Sequence, residues 1–171
     1  MAETLGSLCD KLTIVRLKQW HATNRQKLDS LARQLGALET EIDAFVSQAV
    51  ARKIPVAQLT VEAHKVYPKE SHVLDELAGS FGTMVSKLAE ANCALWHQQE
   101  KIYDFERVPA AAKNRTIKRL AVLNLERNRC IDRIDELFRG KIVALSAPAV
   151  PPPKRGPVRG RAAATARRRQ S

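Results

Sequence analysis

A proline-free stretch at the start of the chain strongly limits what the chain can fold into. No proline interrupts residues 4–50, and Gly36 is the only glycine there after Gly6. Apolar residues recur at alternating spacings of three and four, the pattern with which a helix buries one side. We therefore predict one long helix, which would span roughly 70 Å at 1.5 Å per residue. Its apolar seam consists of Leu28, Leu31, Leu35, Leu38, Ile42, Phe45 and Ala49.

Two later segments carry the same periodicity. A helix is predicted from about Ser71 to about Glu106, and Pro109 then interrupts it because proline breaks a helix interior. The second half of this helix, Asn92–Tyr103, places polar and aromatic residues beside its apolar stripe. A further helix is predicted to follow over residues 110–144.

The segment between Pro55 and Pro68 reads as a short amphipathic helix. Its apolar positions are Val56, Leu59, Ala63 and Val66. Proline is favoured in the first turn of a helix, so Pro55 suits its start. We interpret it as a crossover, with a mobile lid as the alternative. The predicted fold is all-α: an elongated antiparallel bundle of three long helices with a short crossover helix.

The composition changes near Ser146. From Pro148 onward the chain has five prolines, seven Lys or Arg residues and no acid, out of a net charge of +11 for the whole sequence. Such a segment cannot bury a core. We predict a helical domain over residues 1–145 and a disordered basic tail over residues 146–171. The tail suits nucleic acid or anionic lipid headgroups, or it acts only as a solubilising extension.

Composition also predicts the compartment. Hydrophobic residues make up 44% of the sequence, enough for a core, yet no run of about 18 apolar residues predicts a transmembrane segment. The first residues lack the charged and apolar regions of a secretory signal. Three scattered cysteines, Cys9, Cys93 and Cys130, suggest reduced thiols rather than a disulfide framework. A cytoplasmic protein is therefore expected.

Polar residues interrupt the apolar faces of the predicted helices at similar heights. Counting residues up the first helix, down the next long helix and up the last one yields two polar layers. The upper layer consists of His21, Asn92, Asn124 and Arg127, with Trp96 just below it. The lower layer consists of Asp10, Lys11, Gln99 and Glu100.

Buried polar groups need partners, so these layers are either closed hydrogen-bond networks that fix helix register or open ligand sites. In an open site, Arg127 would clamp a small anion. His21 would donate a hydrogen bond or act as an acid–base group, and Trp96 or Trp20 would stack on a ring. A metal is disfavoured because no H-x-x-x-H or E-x-x-H spacing occurs. No cofactor is predicted, since no glycine-rich phosphate loop, nucleophile elbow or zinc signature is present.

Three stretches resemble uncharacterised bacterial all-helical families. Residues 6–18, GSLCDKLTIVRLK, resemble the opening G-x-L-x-D-K-L-T-I-L-x-I-K of these families. Residues 92–103 are similar to N-x-x-L-W-x-x-E-D-x-I-R, and residues 123–135 to L-N-x-x-R-N-x-x-I-D-x-I-D. Gln99 and Tyr103 depart from the second pattern, which has an acid and an arginine there. The resemblance implies a bacterial, cytoplasmic, all-α protein and no particular reaction.

The function expected from these features is that of a non-enzymatic binding or assembly protein, whose polar layer fixes the bundle or holds a small anion. One alternative is a small enzyme for a phosphorylated or nucleotide-like compound, with His21, Arg127, Glu100 and Asp10 as working groups. Another is nucleic-acid association through the tail. Self-association, as a dimer along residues 28–49, is also predicted because the last helix fades before it can cover that seam.

Overall fold

The computed structural model describes residues 3–61 and 77–146, and within these ranges the chain is all-α, as predicted, with no strand. The long helices are α1 (Leu5–His21), α2 (Arg25–Val50), α3 (Phe81–Tyr103) and α4 (Ala110–Ala144). Single 3₁₀ turns occupy Val56–Gln58 and Phe105–Arg107. None of the helices in the described ranges has the length and apolar character that crossing a bilayer demands.

The prediction of one unbroken helix over residues 4–50 is wrong, because the chain turns back after His21. The backbone of Ala22 is extended, with φ −81° and ψ 132°. Asn24 then caps α2, and its side-chain oxygen accepts the backbone N–H of Lys27 at 3.1 Å. Asparagine is among the strongest N-cap residues, so it starts a new helix without help from proline or glycine. Residues 3–61 and 77–146 therefore form four long helices instead of the three that the sequence predicted.

Helix α1 is the central element and packs against α2, α3 and α4. Helix α2 folds back along α1, so that Phe45 and Ala49 join Leu5 and Leu8 in one buried cluster. The ring of Phe45 also lies 6.0 Å from that of Phe138 on α4, centroid to centroid. Much of the seam predicted for self-association is thus covered by the chain itself. Self-association stays a prediction. The part of the α2 seam that is left uncovered to support it is smaller than the sequence predicted.

The helix directions differ from those used to count the polar layers. Asp10 of α1 contacts Asn92 of α3, and His21 contacts Trp96 further along, so α1 and α3 run the same way. Helix α4 runs opposite to α1, because Asp10 meets Arg127 of α4 while the earlier α1 residues meet later α4 residues. The predicted heights along α3 and α4 were both inverted, because the turn after His21 reverses the direction of every later helix relative to the prediction.

The other predicted boundaries fared differently. Helix α4 begins and ends where the sequence placed it. Helix α3 begins at Phe81, after an N-cap at Ser80, and the positive φ of Gly79 (144°) marks the non-helical approach. The predicted start at Ser71 and the second half of the crossover segment fall in residues 62–76, outside the described residues. The predicted tail lies outside them from residue 147 onward.

A close approach between α1 and α4 fixes the start of α1. The backbone N–H of Gly6 donates a hydrogen bond of 2.6 Å to Oδ1 of Asp135, which is buried. A carboxylate at a helix N-terminus is favourable because it satisfies an unpaired N–H and opposes the helix dipole. A Cβ on Gly6 would overlap the carbonyl oxygen of Ile131 and lie 3.0 Å from the Asp135 oxygen. This contact therefore requires glycine.

We predict that Gly6→Ala lowers the free energy of unfolding by about 1–3 kcal/mol, because the added methyl overpacks the α1–α4 contact. The matched control is Gly36→Ala in α2, where an added Cβ meets nothing within 4 Å. That change should stabilise the protein by about 0.5–1 kcal/mol through its helix preference. Urea unfolding measures both, and equal effects of the two substitutions would contradict the packing described here.

Candidate functional site

A buried ion pair joins α1 to α4. The Asp10 side chain is 6% exposed and the Arg127 side chain 28% exposed. The Nε of Arg127 donates to Oδ1 of Asp10 at 2.7 Å, and Nη2 donates to Oδ2. This is the two-point contact between a planar guanidinium and a carboxylate. The hydrogen bond to Asp10 raises the pKa of Arg127 against the opposing effect of burial.

Helix α3 contributes a third side to this contact. Nδ2 of Asn92, which is buried, donates to Oδ1 of Asp10 at 2.8 Å and to Oγ1 of Thr13 at 2.8 Å. Oγ1 of Thr13 in turn donates to the backbone carbonyl of Asp10 at 2.8 Å. We call Asp10, Thr13, Asn92 and Arg127 the Asp10 network. It joins three helices at one height along the bundle. A closed hydrogen-bond network, one of the two alternatives for the polar layer, would do the same.

Two residues predicted beside this network lie apart from it. Asn124 donates its Nδ2 hydrogen to the backbone carbonyl of Leu120 in its own helix, at 3.1 Å. Lys11 is exposed and forms an ion pair of 2.7 Å with Glu3. The Asp10 network therefore shares Asn92 and Arg127 with the predicted upper layer, but has Asp10 and Thr13 in place of His21 and Asn124. The anion that Arg127 binds is the carboxylate of Asp10.

The other predicted residues meet further along the bundle. The ring of His21 stacks on Trp96, with centroids 4.7 Å apart and planes 13° from parallel, and His97 meets His21 edge-on at 6.2 Å. Glu100 accepts a 3.0 Å hydrogen bond from Nε1 of Trp96 and lies 3.3 Å from Nδ1 of His97. The hydrogen bonds from His97 and then Trp96 lower the pKa of Glu100. The working groups of the predicted enzyme thus fall into two separate sets: Asp10 is bonded to Arg127, whereas His21 and Glu100 each contact Trp96.

The end of the bundle beyond this cluster is strongly basic. Here α1 and α3 end while α2 and α4 begin, in residues 16–27 and 97–119, which we call the basic end. It holds ten Lys or Arg residues against three acids, whereas the rest of the described chain holds ten against eleven. The ten are Arg16, Lys18, Arg25, Lys27, Lys101, Arg107, Lys113, Arg115, Lys118 and Arg119.

A groove of about 790 Å³ opens between the end of α3 and the start of α4 in the basic end. Four cations (Lys101, Arg107, Arg115 and Arg119) and two acids (Glu100 and Asp104) line it, and Arg107 forms an ion pair of 3.1 Å with Asp104. Sequence reasoning missed this surface because it considered only the charge of the whole helical domain. The available signal was the run from residue 107 to 125, which contains five Lys or Arg residues and no acid.

Sequence reasoning also missed three contact residues: Gly6, Thr13 and Asp135. Gly6, Asp10 and Thr13 lie in residues 6–18, Asn92 lies in residues 92–103, and Arg127 and Asp135 lie in residues 123–135. The three stretches therefore converge on the helix contacts near the middle and start of α1. Polar residues on the inward faces of helices can serve helix packing as readily as a ligand site.

Two of the cysteines, Cys9 and Cys130, have thiols that are harder to ionise than an ordinary thiol. Burial, followed by the charges of Asp135 and Asp10, raises the pKa of the Cys9 thiol from 9.0 to about 11. Burial also raises the pKa of the Cys130 thiol. A nucleophilic cysteine needs the opposite shift. Within residues 3–61 and 77–146, no three His, Cys, Asp or Glu side chains converge as metal ligands would.

Comparison with known proteins gives no relative: no protein-family model, curated protein or solved structure matches this chain.

We predict that Arg127→Met lowers the free energy of unfolding by about 3 kcal/mol, because it leaves the Asp10 carboxylate buried without its cation. The control is Arg16→Met, which removes an exposed 3.2 Å ion pair with Glu39 and should cost less than about 1 kcal/mol. Chemical denaturation at neutral pH compares them. A loss in Arg127→Met no larger than that in the control would rule out a structural ion pair.

Stability should also fall at alkaline pH. Between the ordinary thiol pKa of 9.0 and the raised value of about 11, the unfolded chain loses the Cys9 proton while the folded chain retains it. Unfolding then releases a proton, so rising pH favours the unfolded state. We predict that Cys9→Ala reduces the loss of unfolding free energy between pH 9 and 11 by roughly 2 kcal/mol. Parallel pH slopes for wild type and variant, measured by urea unfolding from pH 9 to 11, would contradict the assignment.

Proposed function

We propose that this chain is a non-enzymatic binding protein, in which the Asp10 network holds the helices and the basic end binds a polyanionic partner. The observation that carries the proposal is the separation of charge. Ten cations and three acids share one end of the bundle, while the remaining described residues are almost balanced. A surface of one sign attracts partners of the other sign and speeds their encounter.

The Asp10 network supports a structural role for the polar layer. Both Nε and Nη2 of Arg127 already donate to Asp10, and Asn92 already donates to Asp10 and Thr13. An incoming anion would have to displace the buried carboxylate of Asp10 from Arg127. Among the contacts described above, Arg127 is the cation bonded to that carboxylate. We therefore favour the closed network over the open anion site.

The basic end supports the binding role. Its groove draws cations from both α3 and α4, so one extended anion could contact several of them together. Like charges on such a surface repel each other when they lie within about one Debye length, which is about 8 Å at physiological salt. A polyanion relieves that repulsion and releases its own counterions. The seven cations of the tail would add to the same attraction.

The enzyme alternative has less support. Its four working groups form two separate sets, and the Asp10–Arg127 pair is engaged within the bundle. The free thiols of all three cysteines support a reducing compartment such as the cytoplasm.

Matched double substitutions at the two ends of α4 test the proposal. We predict that Arg115→Gln with Lys118→Gln weakens binding to long-chain polyphosphate and to DNA. It should also reduce the salt slope of log affinity by about one to two. Arg139→Gln with Lys141→Gln removes the same charges from exposed positions at the other end of the same helix. It should have a much smaller effect.

Fluorescence anisotropy of labelled DNA, and competition by polyphosphate, measure both variants at 50 and 200 mM salt. Both variants keep the tail, so any contribution from the tail cancels in the comparison. Equal losses in the two variants, or no salt-sensitive binding by the wild-type protein, would refute binding at the basic end.

A further inference from the structure

Two large aromatic side chains stand almost fully exposed at the basic end. Trp20 is 86% exposed and Tyr103 is 85% exposed. Trp20 lies in the last turn of α1 and Tyr103 is the last residue of α3. Because α1 and α3 run the same way, both aromatics occupy the end where the cations concentrate. Neither contributes to the buried core of the described residues.

Two further rings, those of His21 and Trp96, lie near these two along α1 and α3. Trp20 neighbours His21, whose ring stacks on Trp96. Tyr103 stands seven residues after Trp96, two turns further along the same face of α3. Trp20 also lines a shallow apolar groove of about 340 Å³ with Leu12, Leu17 and Ala89, among others. We call Trp20, His21, Trp96 and Tyr103 the aromatic rim.

The rim and the cationic groove occupy one end of the molecule, and the two features suit different parts of one ligand. The two features meet on α3, because Glu100 lines the groove and lies three residues, about one helical turn, before Tyr103 on the same side of the helix. Phosphates need cations, and unpaired bases need flat aromatic faces on which to stack. We propose that the basic end binds single-stranded nucleic acid, with its phosphates along the groove and its bases on Trp20 and Tyr103. This inference rests on the proposed polyanion binding and narrows its partner.

Single strands fit this surface better than the other polyanions. A duplex offers phosphates, but its bases are already stacked and would leave Trp20 and Tyr103 unused. An anionic membrane would require an apolar face to insert between lipids. Among the exposed large hydrophobic residues of the basic end, Ile117 is the one aliphatic side chain, beside Trp20 and Tyr103. Three acids, Glu100, Asp104 and Glu106, also lie among the cations.

The experiment compares a single-stranded oligonucleotide, the matching duplex and phosphatidylserine vesicles, all with the full chain at about 100 mM salt. Trp20→Ala and Tyr103→Ala should each weaken single-strand binding about ten-fold, with less than a two-fold change for the duplex. Trp20→Phe and Tyr103→Phe keep a ring and should restore most of the affinity. Ile117→Ala, half exposed at the same end, is the control and should bind like the wild type.

A direct readout of stacking comes from fluorescence. The sequence has two tryptophans, so Trp96→Phe leaves Trp20 as the sole reporter, and single strands should quench its emission more than duplex does.

Three results would overturn the inference. If the alanine variants weaken binding to duplex and single strand equally, or weaken neither, base stacking is excluded. Polyanion binding is then still tested separately by the α4 substitutions. If they weaken vesicle binding alone, the partner is a lipid surface. If the wild-type chain binds none of the three probes, the proposed function fails as well.

Discussion

The position of one buried carboxylate governs the arrangement of this bundle. Asp10 lies in the central helix, and its two oxygens accept hydrogen bonds from Arg127 of α4 and Asn92 of α3. Leaving such a charge buried without partners would cost several kcal/mol. Helices α1, α3 and α4 therefore have one favourable register, and one α1 turn away Gly6 and Asp135 lock the same α1–α4 pair. Purely apolar faces would tolerate sliding more readily.

This arrangement separates the buried polar contacts from the accessible polar and aromatic groups. The polar residues that look most like an active site in the sequence are largely engaged in holding helices together. The groups left accessible are at the other end of the same helices, where Trp20, Tyr103 and the groove cations face outward. The turn after His21 produces that division, because it brings the acid-poor runs around residues 16–27 and 107–119 to one end.

The sequence predicted the helical class, the bounds of α4 and the inward polar character of Asp10, Asn92 and Arg127. Periodicity is strong over long amphipathic stretches, so these features are local and readable. It did not predict the break at Ala22–Asn24, because the apolar spacing continues across it and no proline or glycine marks it. Because of that single turn, α3 runs the same way as α1 and α4 runs opposite to it, the reverse of the predicted directions. Pairings such as Asp10 with Arg127, and the shared basic end, depend on this direction and could not follow from counting.

The most direct test of the structural role of Asp10 is a double-mutant cycle on Asp10→Leu and Arg127→Met. The coupling is the difference between the loss of unfolding free energy in the double variant and the sum of the two single losses. A closed, buried pair predicts a coupling of about 2 kcal/mol or more, with the double variant less destabilised than that sum. A coupling below about 0.5 kcal/mol would mean that the two side chains act independently, and the register of α1 against α4 would then need another cause.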